Sequence, residues 1–205
     1  MDGSDRHADT LAVYERRAGE WATATSARTG EVAAFVARLD SEPDLPAGAL
    51  VDLGSGPGGH LPHLPPGTVA LDAANAMLEM AATATPDTPL VQADLRALPF
   101  ADRCLRGAWA SRSYVHVDRR NMPMALWDLH RCMATGGLAG LTLFGGDADH
   151  EGFDGDRFAG RSFSLWPQDL LTDVLEGAGF STVSLDRSGP DACHEGDPVP
   201  DLLLT

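Results

Sequence analysis

The sequence predicts an α/β fold, a mostly parallel sheet with helices on both faces. Three observations lead there. Short apolar runs alternate with helical stretches along the chain, several of those runs close on an acid, and the first runs directly into a glycine-dense turn, VDLGSGPGGH at Val51 to His60. At 205 residues the chain has room for one substantial core.

The elements follow in order. Leu11, Tyr14, Ala18 and Trp21 recur at spacings of three and four, as do Val32, Phe35, Val36 and Leu39, so residues 10–40 read as helical. SEPDLPAG (41–48) breaks that pattern with two prolines and a glycine. ALVDL (49–53), TVALD (68–72), PLVQAD (89–94), RCLRGAWAS (103–111) and GLAGLTLF (137–144) are five strands in sequence. Between them ANAMLEMAATA and NMPMALWDLHRCM read as helices, the second stopped by Gly136-Gly137. PQDLLTDVLEGAGF starts a helix at Pro167 and stops it at Gly179. STVSLD and VPDLLLT are two closing strands, for seven in all.

Composition narrows the function. A hydrophobic content of 43% and a charged content of 22% are ordinary for a globular protein, and no apolar run is long enough to span a bilayer. The polar start MDGSDRHADT has no apolar signal region, which points to the cytoplasm. Thirty acidic residues against 15 basic ones, a formal charge of −15, repel nucleic acids and anionic membranes and favour small neutral or cationic ligands. Cys104, Cys132 and Cys193 have neither zinc-site nor disulfide-framework spacing, and no metal is expected.

The glycine turn fits two templates. Gly54, Gly56 and Gly59 spell the dinucleotide fingerprint GxGxxG, with Asp72 placed 18 residues after Gly54 as a ribose partner. Gly54, Gly56 and Gly58 spell GxGxG behind the acid Asp52. Three details weigh against the dinucleotide. Asp52 is a poor neighbour for a pyrophosphate and a plausible one for an ammonium group. The next segment, HLPHLPPG, carries Pro62, Pro65 and Pro66, which stunt any phosphate-binding helix. A third strand-end acid, Asp94, has no required role in that fingerprint. Ligands in such sheets bind beyond the carboxyl ends of the strands, so Asp52, Asp72 and Asp94 are expected to line one crevice.

Taken together, residues 10 to 190 resemble a class I S-adenosylmethionine-dependent methyltransferase of the type 11 kind. VDLGSGPGG resembles the family's first motif, VALDAANAML its second, VQADLRALPFAD its third, LHRCMATGGLAGLTLF its helix, turn and fifth strand, and LWPQDLLTDVLEGAGFSTVSLD its last helix and sixth strand. The resemblance implies a Rossmann-like sheet of seven strands, the last antiparallel, with residues 1–45 as a helical cap over the cofactor site of a unit spanning 46–205. It also implies S-adenosylmethionine as cofactor, S-adenosylhomocysteine as product, and methyl transfer to O, N or C of a small-molecule acceptor. A non-methylating enzyme that binds the same cofactor, or a non-catalytic binding module, are the alternatives. The cofactor-binding set is then Asp52, Gly54, Ser55, Gly56, Gly58, Asp72, Ala73, Met77, Asp94, Leu95 and Ser111, with Asp72 on the ribose hydroxyls and Asp94 and Leu95 bordering the adenine. Ala74-Asn75 replace the family's usual Ser-Pro, with Asn75 a candidate helix cap. DLLLT falls inside the expected seventh strand, as it would in part of a longer protein.

Methyl transfer needs positioning above all, and a general base only where the acceptor must lose a proton. His116, in the Ser111–His116 segment after the fourth strand, is the first candidate base, since an ordinary imidazole titrates near pH 6.5. Tyr14, Arg17 and Trp21 share one face of the first helix. In the resembling family that helix caps the cofactor, and Tyr14 is the candidate that reaches the cofactor carboxylate or the acceptor. His150 and Glu151 sit in a glycine-rich loop at the expected rim. Asp147, Asp149 and Glu151 lack the full calcium-loop pattern, and His60 and His63 are assigned no role.

Overall fold

The computed structural model describes residues 6–24, 29–147, 149–150, 152, 156–181, 185–187 and 201–204. Among the described residues, five α-helices, α1 (Arg6–Ala24), α2 (Thr29–Ser41), α3 (Asn75–Ala84), α4 (Met122–Cys132) and α5 (Gln168–Gly177), flank a sheet of nine strands. The strands are β1 (Ala49–Leu53), β2 (Val69–Asp72), β3 (Leu90–Gln92), β4 (Leu105–Ser111), β5 (Met133–Gly145), β6 (Asp149–His150), β7 (Phe163–Trp166), β8 (Leu185–Arg187) and β9 (Asp201–Leu204).

β3, β2, β1, β4 and β5 lie side by side and parallel. The far end of β5 pairs in parallel with β7, which carries β6 antiparallel on its other side. Along its middle, β5 pairs with β9 antiparallel, and β9 carries β8. β6 and β7 have no counterpart among the runs read from the sequence. β7 escapes sequence patterning because all four of its residues are buried, so polar and apolar positions do not alternate.

Each face of β1 is covered by a different set of helices. Val51 and Leu53 join the main core with Leu126 and Leu129 of α4 and Leu171 and Leu175 of α5. Leu50 points the other way, into a cluster with Val32, Phe35 and Leu39 of α2 and with Trp109 of β4. The rings of Phe35 and Trp109 lie 5.2 Å apart, both fully buried. α3 covers β2 on that same face, packing Ala81 against Ala70 and Leu61.

Two local expectations are corrected. The α4 helix ends at Cys132, because Met133 is already extended, and not at Gly136-Gly137. Those glycines fall inside β5, where Leu105 pairs with Met133 but Gly107 pairs with Leu138. The extra residues bulge out there, and Gly136 takes the left-handed conformation (φ 82°) that the bulge requires. Asn75 is not a cap: it is the first residue of α3, after Ala74 at the N-cap, and its side chain donates to Glu79.

Candidate active site at the carboxyl edge of the sheet

The site begins where β1 ends. Gly54 and Ser55 both donate their amides to the carbonyl of Leu71 in β2, at 2.7 and 2.9 Å, which turns the chain back across the strand tip. Gly54, Gly56 and Gly58 all have φ between 53° and 85°, where a side chain is strained. A Cβ on Gly54 would also sit 2.2 Å from the Cβ of Ser113. Gly59 is exposed and has no positive φ. The backbone thus demands the spacing GxGxG. Past the loop only a single 3-10 turn forms, Leu61–His63, as the prolines imply.

Asp52, Asp72 and Asp94 belong to three adjacent parallel strands, at or just past their carboxyl ends. Their environments differ sharply. Asp52 is 1% exposed, and neither of its carboxyl oxygens has a hydrogen-bond partner among the described residues. Burial, reinforced by the charge of Asp72, pushes its pKa up to about 8. Asp72 accepts the amide of Gly56 on one oxygen and that of Ala74 on the other, both at 2.8 Å, so it fastens the glycine loop to the start of α3. Burial raises its pKa, opposed by the amides of Ala74, Gly56 and Ala73. Asp94 is half-buried and engaged by Arg96 at 2.7 Å and His7 at 3.1 Å. Burial alone would raise its pKa, but the hydrogen bonds from His7 and Arg96 hold it well below the usual carboxylate range.

The remaining members of the expected set lie around these acids. Ala73 accepts from the side chain of Gln92. Met77 is buried beside Ala18 and Ala74, with Tyr14 and Trp21 packed against that cluster. Leu95 packs on the edge of the main core. Ser111 ends β4, where the Thr142 hydroxyl reaches its Oγ at 3.4 Å. The Oγ atoms of Ser55 and Ser113 are buried without a partner among the described residues. Between Ser111 and Ser113, Arg112 has a left-handed backbone (φ 53°), held by two bonds from its amide to the carbonyl and hydroxyl of Thr142.

α1 lies over this edge and is fastened along its length. Glu15 accepts the amides of Asn75 (2.6 Å) and Ala76 (3.0 Å), capping α3 in place of a local side chain. The Trp21 ring stands against Gly56. The Tyr14 hydroxyl meets Nε2 of His116 at 2.8 Å, and Nδ1 of His116 meets the carbonyl of Ser162 at 2.8 Å. A carbonyl can only accept, so Nδ1 carries the proton and Nε2 receives the hydrogen bond from Tyr14. Burial and the nearby charge of Arg161 push the His116 imidazole down to about 3, so it is neutral at physiological pH. Arg161 donates to the same Tyr14 oxygen at 3.1 Å and is held from behind by Asp156 at 2.5 Å. Burial raises the Tyr14 pKa, while Arg161 pulls it down.

Glu15, Asp156 and Arg161 had no signal in the sequence. Glu15 and Arg161 act across long separations, while Asp156 holds Arg161 from five positions away. Arg119 also acts at a distance, its guanidinium binding the carbonyls of Gly146 and Asp147 after β5 and of Leu165 in β7. Glu151 and Cys193 lie outside the described residues, as do the side chains of Asp149 and His150.

Residues 50–137, which hold the glycine loop, all three acids and the Ser111–His116 segment, match a family model described as a methyltransferase domain. That stretch is similar to a methyltransferase domain. The fold agrees over most of its length. It is similar to an S-adenosylmethionine-dependent methyltransferase from Leishmania major (TM-score 0.70, 12% identity, 97% of this chain and 82% of that one). It is also similar to DhpI in complex with SAH (TM-score 0.64, 21% identity, 96% and 94%). The [4+2]-cyclase SpnF shares the methyltransferase fold at a TM-score of 0.56 and 18% identity, over 76% of this chain and 60% of that one. No curated protein matches the chain.

Proposed function

We propose that the protein is an S-adenosylmethionine-dependent methyltransferase that acts on O, N or C of a small-molecule acceptor in the cytoplasm. The observation that carries the cofactor assignment is Asp52, a carboxyl group buried beside the glycine loop with both oxygens unpartnered among the described residues. Such a group calls for a cation. S-adenosylmethionine brings an ammonium and a sulfonium, whereas a dinucleotide brings a pyrophosphate to a place with no helix start to receive it.

The residues fit that group. Asp52, Ser55 and the loop Gly54–Gly58 would hold its methionine end, with Ser111 beside them. Asp72 keeps free lone pairs beyond its two backbone bonds and would take the ribose. Ala73 and Met77 would border the ribose, and Asp94 and Leu95 the adenine. When bound, the cofactor supplies a methyl group on a sulfonium, with an excellent leaving group. The chain then has to exclude water and orient the acceptor, and α1 is the element placed to do both.

On the acceptor side, Tyr14 presents a hydroxyl fixed by His116 and Arg161. Its proton rests on the bond to Nε2 of His116, so its oxygen is the atom an acceptor's O–H or N–H would meet. Burial and Arg161 both oppose a second positive charge on His116. Orienting the acceptor through Tyr14 is therefore favoured over full proton abstraction by the imidazole. Incubation with S-adenosylmethionine and a panel of small acceptors, followed for methylated product, tests this reading. The similarity to a cyclase of the same fold favours a second reading, in which the acceptor is turned over without gaining a methyl group.

A further inference from the structure

His60 follows the glycine loop and has no part in the mechanism above. Its Nδ1 lies 3.3 Å from the indole Nε1 of Trp109. An indole nitrogen only donates, so Nδ1 accepts and the His60 proton sits on Nε2. That Nε2–H is buried and has no acceptor among the described residues. Burial, followed by the charges of His63 and Arg112, holds the imidazole near pKa 4, so the neutral tautomer is fixed across physiological pH. On the neighbouring strand, Asp52 is the register partner of Trp109, and neither of its carboxyl oxygens has a partner among the described residues. One indole is thus flanked by an unsatisfied donor and an unsatisfied acceptor. Buried polar groups rarely stay unpaired, and a single group carrying both a cation and an anion would satisfy both.

We propose that His60 is a specificity-determining residue that donates its Nε2–H to the carboxylate of the ligand's amino-acid end while Asp52 takes the ammonium. The assignment rests on the methyltransferase reading and adds to it a reader for the carboxylate. Arg112 supports the same polarity, since its positive charge acts on His60 from the strand end. Ser55 and Ser113 supply two more unsatisfied hydroxyls around the same loop.

The test compares two ligands by calorimetry. S-adenosylhomocysteine carries the amino-acid end, and 5′-methylthioadenosine is a nucleoside thioether without it. In His60→Leu, affinity for S-adenosylhomocysteine is expected to fall about tenfold while that for methylthioadenosine stays unchanged, as loss of one hydrogen bond to a charged group predicts. His60→Gln, which keeps a donor at a similar reach, should recover most of the loss. Thermal unfolding shows that both variants are folded. Equal losses for the two ligands would make His60 a structural support for Trp109 and overturn the proposal. Unchanged affinities for both would overturn it too, leaving the two groups satisfied by water. If the wild-type chain binds neither ligand, the methyltransferase reading fails first and takes this one with it.

Discussion

The Tyr14 hydroxyl donates to Nε2 of His116 across 102 positions of sequence, joining the first helix to the turn after β4. The bond leaves His116 with no nitrogen for a further partner. His116 is committed on both nitrogens, to Tyr14 and to the Ser162 carbonyl, and the phenol oxygen is what remains.

Tyr14→Phe is therefore expected to lower kcat about a hundredfold, the scale on which a misplaced reactant slows a reaction, if the acceptor bears an exchangeable proton. Its dissociation constant for S-adenosylhomocysteine should stay within about threefold, because the ring and its packing remain. The wild-type rate should show no break near pH 6.5, since His116 is neutral there. A parallel loss of cofactor affinity would move Tyr14 from the acceptor side to the cofactor.

The glycine loop offers a sharper contrast. Gly54→Ala places a methyl group against Ser113 in a left-handed conformation, and should both abolish cofactor binding and cost more than about 1 kcal/mol of stability. Gly59→Ala should change neither by a measurable amount, as expected for an exposed position without special backbone. Calorimetry and thermal unfolding of the two variants read both effects. Sensitivity at Gly59 would revive the dinucleotide template.

Asp72→Ala should eliminate cofactor affinity and also loosen the loop. Losing the acceptor for the Gly56 and Ala74 amides is expected to cost about 1–3 kcal/mol in denaturant unfolding. Full affinity in this variant would exclude Asp72 from the ribose.

Asp52 makes the ligand-free protein sensitive to pH. Its folded pKa, about 8, lies above its unfolded value, so the folded state holds the extra proton. The stability this gives is fully present below the unfolded value near 4 and is lost as pH rises through 8. Asp52→Asn should therefore gain stability relative to wild type between about pH 4 and 8, while losing cofactor affinity. His116 acts in the opposite sense: its lowered pKa removes stability as pH falls from about 6.5 toward 3. Thermal unfolding from pH 5 to 9 checks the first effect. An Asp52→Asn variant whose stability follows pH as the wild type's does would contradict it.

Much of the frame was legible because it rests on local signals. ALVDL is β1 residue for residue, and TVALD, PLVQAD and RCLRGAWAS each contain a strand of the parallel sheet. The prolines after the glycines foretold that no full helix would follow. Signals were missing where the physics is not local. β7 has no polar face to mark it, and Gly136 resembles a helix stop although a strand bulge uses it. At the site, Tyr14 and His116 stood out by residue type and position. Arg161, which donates to the Tyr14 oxygen, Asp156, which holds Arg161, and Glu15, which caps a helix 60 residues away, are visible only once the chain is folded.

Calorimetric titration of the purified chain with S-adenosylhomocysteine, with NAD⁺ as control, tests the central claim most directly. Micromolar binding of S-adenosylhomocysteine alone is the predicted result, with Asp52 giving up its proton to face the ligand's ammonium. Binding of NAD⁺ alone, or of neither ligand, would contradict it.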